Sequence, residues 1–430
     1  MKTTKFKPSE VGPIPEEWEV KPFSECFTLM RNNTYSRDCL TDLPGSVANV
    51  HYGDVLIRYG AVLDFEKDSV PYLKSGVKPN KDLLKDGDLI FADTAEDETA
   101  GKAVEVQGVR PRMAVAGLHT VACRPQDEIF APRYLGYYIN SAAYHNQLLP
   151  LMTGTKVTSI SRAGFVSTHV AIPPKSEQEK IAEALSDVDG LLAAMTKLIE
   201  KKRAIKQGAM QELLTGKKRL AGFTGKWVEK RLGDVGEFVG GGTPSTAISS
   251  YWGGDIDWYT PAEIGSAKYV NSSNRRITNE GLRNSAARVL PAGAILLTTR
   301  ASIGLRAILK HEAATNQGFQ SLIVNEESDS EFMYYFLFTV VEEMESRASG
   351  STFLEISSSK LKEIPIVVPQ TVAEQKAIAS VLSDMDAEIA ALEAKRAKYE
   401  SIKQGMMQEL LTGKTRLVET GLTGFTGLWK

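Results

Sequence analysis

Cysteine is scarce in this sequence, and its spacing suits neither disulfide pairing nor zinc. The three cysteines are Cys26, Cys39 and Cys123. An odd count without a CxxC pair argues against a disulfide framework and a zinc site, and it fits a reducing compartment. The five histidines are scattered without ligand spacing, so His51, His119 and His169 are interpreted as structural or surface residues. We therefore expect no metal centre.

Long apolar runs and a strong net charge are absent as well. The longest apolar stretches, such as AGAILL and IPIVV, are too short to span a bilayer, and the start of the chain lacks an apolar signal-peptide core. The net charge is −2 over 430 residues, distributed as −2 in 1–172, +4 in 173–226, −4 in 227–368 and 0 in 369–430. This balance neither supports nor excludes nucleic-acid binding, because any basic surface must be local. We expect a soluble cytoplasmic protein of two or three domains.

Complete catalytic motifs are missing too. Phe238–Gly242 matches the F-x-G-x-G pattern of adenine methyltransferases, but the partner motif Asn/Asp-Pro-Pro-Tyr/Phe is absent and no convincing helix follows. Gly413–Thr415 ends like a P-loop, but Gln408 stands where that loop needs its first glycine. No acidic cluster with a trailing lysine resembles a nuclease site. The sequence therefore predicts a chain that is not an enzyme and binds no cofactor.

A long internal repeat is the main feature that is present. Residues 177–220 return as 374–417 at a constant offset of 197, with 25 of 44 positions identical. Each copy follows a longer segment, and these two segments resemble each other far less. A repeated frame that carries two unlike heads suits a ligand with two unlike halves.

Both copies of the repeat predict long helices. Capping boxes at Ser176–Glu179 and Thr371–Glu374 begin them, and Gly216 and Gly413 lie just past their ends, where left-handed caps are expected. Apolar residues at spacings of three and four predict a coiled-coil seam, and a twofold operator would pair the helices antiparallel. The seam residues are Ile181, Leu185, Val188, Leu192, Met195 and Ile199 in the first copy and Ile378, Leu382, Met385, Ile389 and Leu392 in the second.

The heads, residues 1–172 and 221–368, show weaker similarity. Gly154, Ile160 and Phe165 correspond to Gly350, Ile356 and Leu361 at an offset of 196. Alternating or apolar runs predict strands at Val115–Cys123, Ala294–Thr299, Ser321–Asn325 and Ile364–Val368, and helices at Tyr134–Gln147 and Phe332–Arg347. The tail Gly424–Trp429 resembles Gly222–Trp227, which suggests a closed ring with neighbouring termini. We expect an α+β protein: two similar mixed α/β heads joined by the antiparallel helical segments 173–220 and 369–430, in a pseudo-twofold, circular organisation.

Paired acidic residues recur on both predicted helices, as Asp187 with Asp189 and Asp384 with Asp386. Residues i and i+2 of a helix point to different faces, so these pairs form no metal site. We interpret them as capping or interhelical hydrogen-bonding groups, with a subunit contact as the alternative. The candidate subunit-interface residues are Asp187, Asp189, Gln207, Gln211, Asp384, Asp386, Gln404 and Gln408.

Several motifs together resemble the specificity subunit of type I restriction–modification enzymes. They are the duplicated EQxxIAxxLSxxD…IKQGxMQELLTGKxRL helix, the Trp-x-x-x-x-Leu/Phe-x-Glu/Asp entry to each head, Gly241–Ser245 with Tyr251–Trp258, and Thr298–Gly304 with Thr315–Phe319. The resemblance implies two target-recognition domains that each bind one half of a divided DNA sequence, with the paired helices setting the gap. It also implies that two modification subunits dock on the helices and methylate adenine, and that restriction subunits join the complex. S-adenosylmethionine, Mg and ATP would then bind partner subunits only.

DNA recognition of this kind needs side chains that reach base edges in the major groove and others that contact phosphates. In the first head the candidates are Tyr52, Arg58, Tyr59, Lys74, Lys78, Arg110, Arg112, Thr155 and Lys156. In the second head they are Thr243, Ser245, Arg275, Arg276, Arg300, Asn316, Gln317, Arg347, Ser351 and Thr352. Helices of this length suit heads that lie about 34–36 Å apart, roughly one turn of duplex.

The resemblance leads to two expectations that separate it from other functions. A helical turn inserted in or deleted from 190–205 should change the tolerated gap, and exchange of the second head should change one half-sequence. The alternative is a coiled-coil scaffold or adaptor with two heads that do not bind DNA, whose binding would be insensitive to DNA sequence. An enzyme would instead bind S-adenosylmethionine as the isolated chain.

Overall fold

The computed structural model describes residues 4–79, 82–126, 128–350 and 353–418. They form two compact units: the first combines the chain up to Met195 with the chain from Lys395 onward, and the second is Thr196–Ala394. Each unit contains one head, the beginning of one long helix and the end of the other. The compact units thus divide the segments 173–220 and 369–430, which the sequence predicts as separate helical segments.

Short strands and short helices make up the first head. Its strands are Phe6–Lys7, Ile14–Pro15, Glu19–Pro22, Phe27–Leu29, Leu40–Thr41, Val47–Val50, Val62–Asp64, Tyr72–Leu73, Leu89–Ala92, Thr94–Ala95, Ala103–Gln107, Met113–Ala116, Thr120–Pro125, Thr158–Ser159 and His169–Ile172. Its α-helices are Phe23–Cys26, Tyr52–Ile57, Tyr134–Ile139, Ala142–Leu148 and Arg162–Val166, and its 3₁₀ helices are Arg37–Cys39 and Leu149–Leu151.

The second head has a similar composition of elements. Its strands are Trp227–Arg231, Gly236–Gly240, Trp252–Tyr259, Tyr269–Val270, Arg275–Ile277, Ile295–Leu297, Arg306–Leu309, Ala313–Thr315, Gln320–Val324 and Pro365–Pro369. Its α-helices are Asn279–Arg283, Ser330–Phe336, Val341–Arg347 and Ser358–Lys362, and its 3₁₀ helices are Leu232–Val235, Ser249–Tyr251, Pro261–Glu263 and Leu337–Val340.

A five-stranded sheet with the same topology forms the centre of each head. In the first head the strand order is Phe27–Leu29, Thr120–Pro125, Leu89–Ala92, Ala103–Gln107 and Val62–Asp64. In the second head it is Gly236–Gly240, Gln320–Val324, Ile295–Leu297, Arg306–Leu309 and Tyr269–Val270. In both sheets the last pair is parallel and the others are antiparallel. The weak similarity seen in the sequence therefore reflects a shared α+β fold.

Side-chain hydrogen bonds and turns break three of the predicted elements. The expected strand Val115–Cys123 is in fact two strands, because Gly117–His119 turns the chain between Ala116 and Thr120. The expected helix Tyr134–Gln147 is interrupted where the Asn140 side-chain amide donates to the carbonyl oxygens of Ala103 and Gly136. The expected helix Phe332–Arg347 is likewise split by a 3₁₀ segment. The other three predicted strands are present, and their ends differ from the predicted ones by one or two residues.

The two long helices are Lys175–Leu213 and Val372–Leu410, of 39 residues each. The Thr371 hydroxyl accepts the backbone N–H of Glu374 at 3.4 Å, so one half of that capping box is present. The other predicted box is wrong: Ser176 lies inside the helix, and Pro174 occupies the position that Thr371 has in the second copy. None of the helices in the described ranges combines the length and apolarity that a membrane crossing requires.

Each head shares its apolar core with the ends of both long helices. In the first unit Ile181 and Leu185 pack with Leu410, Leu411 and the buried aromatic residues of the head. In the second unit Ile378, Leu382, Leu213 and Leu214 do the same. The outer positions of the predicted seam therefore belong to the head cores, which is why the compact units divide the helices. Farther along, Val188, Met195, Ile199 and Ile389 are also buried.

Ion pairs between the helices establish their antiparallel direction within each unit. In the first unit Lys403 bonds Asp189 at 2.5 Å, and Arg416, just after the second helix, bonds Glu177 near the start of the first. In the second unit Lys202 bonds Glu388 at 2.6 Å and Lys206 bonds Asp386 at 2.5 Å. As one sequence number rises the other falls, as antiparallel helices require.

In each unit a glutamate, a tryptophan and an arginine are hydrogen-bonded where the head meets the end of a helix. Glu177 accepts hydrogen bonds from Trp18 Nε1 at 3.0 Å and from two nitrogens of Arg416. In the second unit Glu374 likewise accepts from Trp227 Nε1 at 3.2 Å and from Arg219. Arg416 also bonds Glu17 at 2.7 Å, so residues near the two ends of the chain meet in the first unit. The remainder of the tail, including Gly424–Trp429, lies outside the described residues.

Glycine is required where each long helix ends, and this predicts a stability effect. Gly413 has a φ of +69°, and an added Cβ would lie 2.3 Å from Pro15 Cγ. Gly216 has a φ of +70°, and its Cβ would lie 3.2 Å from the ring of Trp227. We expect Gly413→Ala to lower the free energy of unfolding by about 2 kcal/mol and Gly216→Ala by about 1 kcal/mol. Urea unfolding of both variants measures the difference, and equal effects would contradict the role of Pro15.

Candidate nucleic-acid interface

A concave corner opens in the second head between the central sheet and a three-stranded side sheet, whose strand order is Arg275–Ile277, Trp252–Tyr259 and Ala313–Thr315. It encloses about 340 Å³. We define the second corner as Pro261, Arg300, Ala301, Ser302, Asn316, Gln317, Gly318 and Phe353. The turn Asn316–Gly318 follows a strand of the side sheet, and Arg300–Ser302 follow a strand of the central sheet. Three residues that the sequence predicts as DNA contacts, Arg300, Asn316 and Gln317, are therefore brought together here.

Backbone hydrogen bonds hold the second corner in place. The N–H of Thr299 donates to the carbonyl of Gly318 at 2.9 Å, and the N–H of Ile356 donates to the carbonyl of Thr299 at 3.0 Å. The N–H of Ala301 donates to Leu354 at 2.9 Å although Ala301 has a φ of +62°. A non-glycine residue in this conformation costs of order 1–3 kcal/mol and is most common at functional sites. The strain at Ala301 therefore supports a binding role for the loop.

The polar side chains of the second corner are only partly occupied by other protein groups. Asn316 Oδ1 accepts the N–H of Gly318 at 2.9 Å, and within the described part of the chain the Asn316 amide nitrogen has no partner. Gln317 is exposed and accepts the Thr243 hydroxyl at 2.6 Å. The side chain of Arg300 is 44% exposed, and its Nε lies 3.7 Å from Glu355. Donors of this kind can bind the acceptor atoms of base edges.

A polar strip continues from the second corner along the head. Thr243 contacts Gln317, and farther along the same loop the Ser245 carbonyl accepts Trp252 Nε1 at 3.1 Å. The guanidinium of Arg275 lies 3.6 Å from the ring centroid of Trp252. The strip therefore joins the predicted contacts Thr243, Ser245 and Arg275 to those of the corner.

Two other predicted arginines of the second head bind carboxylates instead. Arg276 Nε lies 3.2 Å from Asp257, and Arg347 Nε lies 2.6 Å from Glu343 on the same helix. Burial tends to raise the pKa of Asp257, but hydrogen bonds from Ser273 and the charge of Arg276 lower it overall. Both arginines thus have a structural partner. Ser351 and Thr352, also predicted as contacts, lie outside the described residues.

The first head has an equivalent corner with different side chains. The N–H of Asp93 donates to the carbonyl of His119, and the N–H of Ile160 donates to that of Asp93, which repeats the pattern around Gly318 and Thr299. We define the first corner as Tyr52, Asp93, Thr94 and Gly117–His119. His119 thus stands where the second head has Gly318, on the turn that there carries Asn316 and Gln317.

His119 is a candidate contact, although the sequence favours a structural or surface residue at this position. Its side chain is 49% exposed, and Nδ1 lies 3.6 Å from Asp93 Oδ1. Its ring meets the ring of Tyr52 edge-on, with centroids 5.3 Å apart. An imidazole oriented by a carboxylate presents its other nitrogen to a ligand. The sequence does indicate this position, because Gly117–His119 aligns with Asn316–Gly318. It does not indicate that the His119 ring is exposed.

The structure separates the first-head candidates into four groups. Tyr52 lies in the corner, whereas Arg58 bonds Asp54 at 3.3 Å. Tyr59 is 5% exposed and its hydroxyl donates to the Ser69 carbonyl, so this prediction is corrected: the core, not a DNA surface, holds Tyr59. The exposed candidates outside the corner are Lys74, Lys78, Arg110, Arg112, Thr155 and Lys156. Arg110 and Arg112 precede the strand Met113–Ala116 and so lie at its opposite end from the corner.

The predicted subunit-interface residues also divide by exposure. Asp189 and Asp386 bind lysines and tyrosines of their own units. The interpretation as interhelical hydrogen-bonding groups therefore holds for them, and a subunit contact through their exposed part stays a prediction. The others are exposed on the long helices: Asp187, Gln207, Gln211, Asp384, Gln404 and Gln408.

A larger cavity, of about 630 Å³, lies elsewhere on the first head. Its two buried carboxylates are already bonded: Asp88 accepts two hydrogen bonds from Arg124 at 2.8 Å, and Glu105 accepts the N–H groups of Arg133 and Gly136. Burial raises the pKa of Glu105 to about 7. These carboxylates are therefore engaged by the protein itself. Within the described ranges no cluster of three or more His, Cys, Asp or Glu side chains could hold a metal ion.

Comparison with known proteins gives one consistent result. The family model described as the type I restriction modification DNA specificity domain matches residues 15–205 and 224–403. Each match contains one head and most of the long helix that follows it, so the model recognises the same repeat that the sequence shows. Together the two matches cover well over half of the chain.

Individual proteins agree with the family model. The MjaIX specificity subunit of Methanocaldococcus jannaschii is 43% identical over 164 residues, which are 37% of this chain and 38% of that protein. The putative MjaX specificity subunit of the same organism is 26% identical over 434 residues, covering 97% and 98%. A solved chain from work on complex assembly and conformational transition of the type I R-M system has a TM-score of 0.59 at 18% identity, covering 94% and 99%. The chain belongs to the family of DNA specificity subunits of type I restriction–modification systems.

Proposed function

We propose that each head recognises one half of a divided DNA sequence through its corner, and that the paired helices set the gap between the halves. The observation that carries this proposal is the pair of equivalent corners: the same backbone frame presents Arg300, Asn316 and Gln317 in one head and His119 with Tyr52 in the other. One frame with different donors suits recognition of two different base sequences.

The polar strip of the second head supports the proposal on chemical grounds. Arg binds guanine O6 and N7, and Asn and Gln bind adenine N6 and N7, each pair contributing about 1–3 kcal/mol of discrimination. Exposed lysines and arginines away from the corners, such as Lys74 and Arg112, are suited to phosphates, which position the protein without specifying sequence. Both kinds of contact are needed for specific binding.

The proposal assigns catalysis to partner subunits. Two modification subunits would dock on the long helices, where Asp187, Gln207, Asp384 and Gln404 are exposed, and restriction subunits would complete the complex. S-adenosylmethionine, Mg and ATP would bind these partners and not this chain. We further propose that the complex acts in the cytoplasm, where its DNA substrate is found.

Exchange of the second head tests the proposal. Replacing residues 227–368 with the corresponding segment of another specificity subunit should change one half of the methylated sequence and leave the other half and the gap unchanged. The chain is co-expressed with modification subunits, and genome-wide mapping of methylated adenines gives the sequence before and after exchange. A change in both halves contradicts modular recognition. Binding that ignores DNA sequence favours the scaffold alternative.

A further inference from the structure

A cluster of four side chains attaches the first head to both long helices. The Tyr137 hydroxyl donates to Asp189 Oδ2 at 2.8 Å and lies 3.2 Å from Ser186 Oγ. Lys403 Nζ bonds the other oxygen of Asp189 at 2.5 Å. Tyr137 belongs to a head helix, Ser186 and Asp189 to the first long helix, and Lys403 to the second. We call this the first Tyr–Asp–Lys cluster.

The second unit contains the same cluster. The Tyr335 hydroxyl donates to Asp386 Oδ2 at 2.6 Å and lies 3.3 Å from Ser383 Oγ, and Lys206 Nζ bonds Asp386 Oδ1 at 2.5 Å. These four residues form the second Tyr–Asp–Lys cluster. The Ser, Asp and Lys members follow the repeat offset of 197, with the lysines exchanged between helices, and the tyrosines are 198 apart. The clusters are therefore identical in residue type, whereas the corners of the two heads differ.

The tyrosines of both clusters are buried, and their carboxylates lie nearer the surface. Tyr137 and Tyr335 are 2% and 0% exposed, the two lysine side chains 19% and 20%, and the Asp189 and Asp386 side chains 36% each. Burial raises the pKa of each tyrosine, so the hydroxyl remains a hydrogen-bond donor. Hydrogen bonds to charged groups are shorter and stronger than neutral ones. Each cluster joins three separate elements at one carboxylate, which restricts rotation of the head on its helices.

A lysine of the second head, Lys268, forms further contacts with the second cluster. Lys268 Nζ donates to Ser383 Oγ at 2.8 Å and to Tyr335 Oη at 3.2 Å, and it also forms an ion pair with Glu331. By strand pairing, the position of Lys268 corresponds to Ala61 in the first head. The second head is therefore held by one more charged group than the first.

We propose that the two Tyr–Asp–Lys clusters are positioning devices that set how strictly the protein discriminates between gap lengths in its divided DNA sequence. The inference rests on the proposed function, since it concerns the relation between two recognised halves. A head that can rotate on its helices reaches its half-sequence at more than one spacing. The residues that recognise bases are elsewhere, so the half-sequences themselves do not depend on the clusters.

Methylation of a series of duplexes tests this proposal. The series carries the half-sequences found for the wild-type complex, with gaps one base pair shorter, unchanged and one base pair longer. We expect Tyr137→Phe with Tyr335→Phe to reduce the ratio of kcat/KM between the preferred gap and the others by about tenfold, because each change removes a hydrogen bond to a carboxylate. Tyr137→Phe alone should have a larger effect than Tyr335→Phe, because Lys268 still holds the second head.

Tyr144→Phe is the matched control. It also removes a buried hydroxyl hydrogen bond, to Thr168 at 2.8 Å, but within the head, and it should leave gap discrimination unchanged. Lys403→Gln with Lys206→Gln provides a second pair of variants should the tyrosine variants fail to fold. A folded double variant that keeps wild-type gap discrimination, or that loses rate equally at all gaps, overturns the proposal. A wild-type complex that methylates no divided sequence refutes the proposed function instead.

Discussion

Replacing Arg416 with alanine is expected to lower the free energy of unfolding of the first unit by about 3–5 kcal/mol, the usual cost of removing one partner from a buried ion pair. The Arg416 side chain is 9% exposed and that of Glu177 is 1% exposed. Two parallel hydrogen bonds join them, at 2.6 and 2.8 Å, and hydrogen bonding to Glu177 raises the pKa of Arg416. Without the guanidinium, the buried carboxylate retains the Trp18 indole but no adjacent cation.

The second unit provides the matched comparison for this prediction. Arg219 makes the same two-pronged contact with Glu374, but its side chain is 28% exposed. Because water can partly solvate Glu374 once Arg219 is gone, we expect Arg219→Ala to lower the free energy of unfolding of the second unit by about 2 kcal/mol. Arg416→Lys keeps the positive charge but cannot form two parallel hydrogen bonds. Its free energy of unfolding should therefore lie between those of the wild type and Arg416→Ala.

Hydrogen–deuterium exchange during urea unfolding measures the stability of each unit separately. Arg416→Ala should reduce protection at the start of the first long helix and the end of the second, and Arg219→Ala should reduce it at the opposite ends. In the double variant Glu177→Gln with Arg416→Ala, part of the loss should be recovered, because a neutral amide costs less to bury than an unpaired carboxylate. Equal losses from Arg416→Ala and Arg219→Ala would show that burial of the pair does not determine its contribution.

Local signals in the sequence were sufficient to predict the two long helices and where they end. The constant offset of 197 identifies the two long helices, and Gly216 and Gly413 end them with the expected left-handed conformation. The argument that i and i+2 face apart on a helix also holds, since Asp189 is bonded within its unit while Asp187 is exposed. These features depend on residues close in sequence, which is why they could be predicted.

One local signal was misleading: Ser176 and Glu179 have the pattern of a capping box, but the helix already begins at Lys175, before Ser176. Features that depend on distant partners could not be predicted at all. The periodicity at Ile181 and Leu185 predicts a seam, yet these residues complete the core of a head. The sequence contains no sign of where the head lies on the helix, so it cannot distinguish the two kinds of burial.

The candidate site shows the same limit. Arg300, Asn316 and Gln317 were predicted by residue type alone, and the corner brings them together because Thr299 pairs with the turn at Gly318. Tyr59 was predicted for the same reason, but it lies in the core. Residue type thus identifies groups capable of binding bases, whereas long-range strand pairing decides which of them reach the surface at one place.

Arg300→Ala combined with Gln317→Ala is expected to reduce discrimination at the second half-sequence by about 100-fold, since each specific base contact contributes about 1–3 kcal/mol. Neither side chain is strongly held: Arg300 lies 3.7 Å from Glu355 and its guanidinium 5.9 Å from the ring centroid of Phe353, and exposed Gln317 accepts the Thr243 hydroxyl. Both can therefore turn towards base edges without leaving a buried partner unpaired. Competition binding of the assembled complex to duplexes randomised in one half at a time measures the effect.

Arg347→Ala is the control with a matched loss of charge, because Arg347 is engaged by Glu343 at 2.6 Å outside the corner. It should leave discrimination between sequences unchanged. His119→Ala should reduce discrimination at the first half-sequence by about tenfold and leave discrimination at the second unchanged, because a single base contact is removed. If the double variant instead weakens binding to every sequence equally, with a smaller dependence of affinity on salt, then Arg300 and Gln317 contact the phosphate backbone and the corner does not recognise bases.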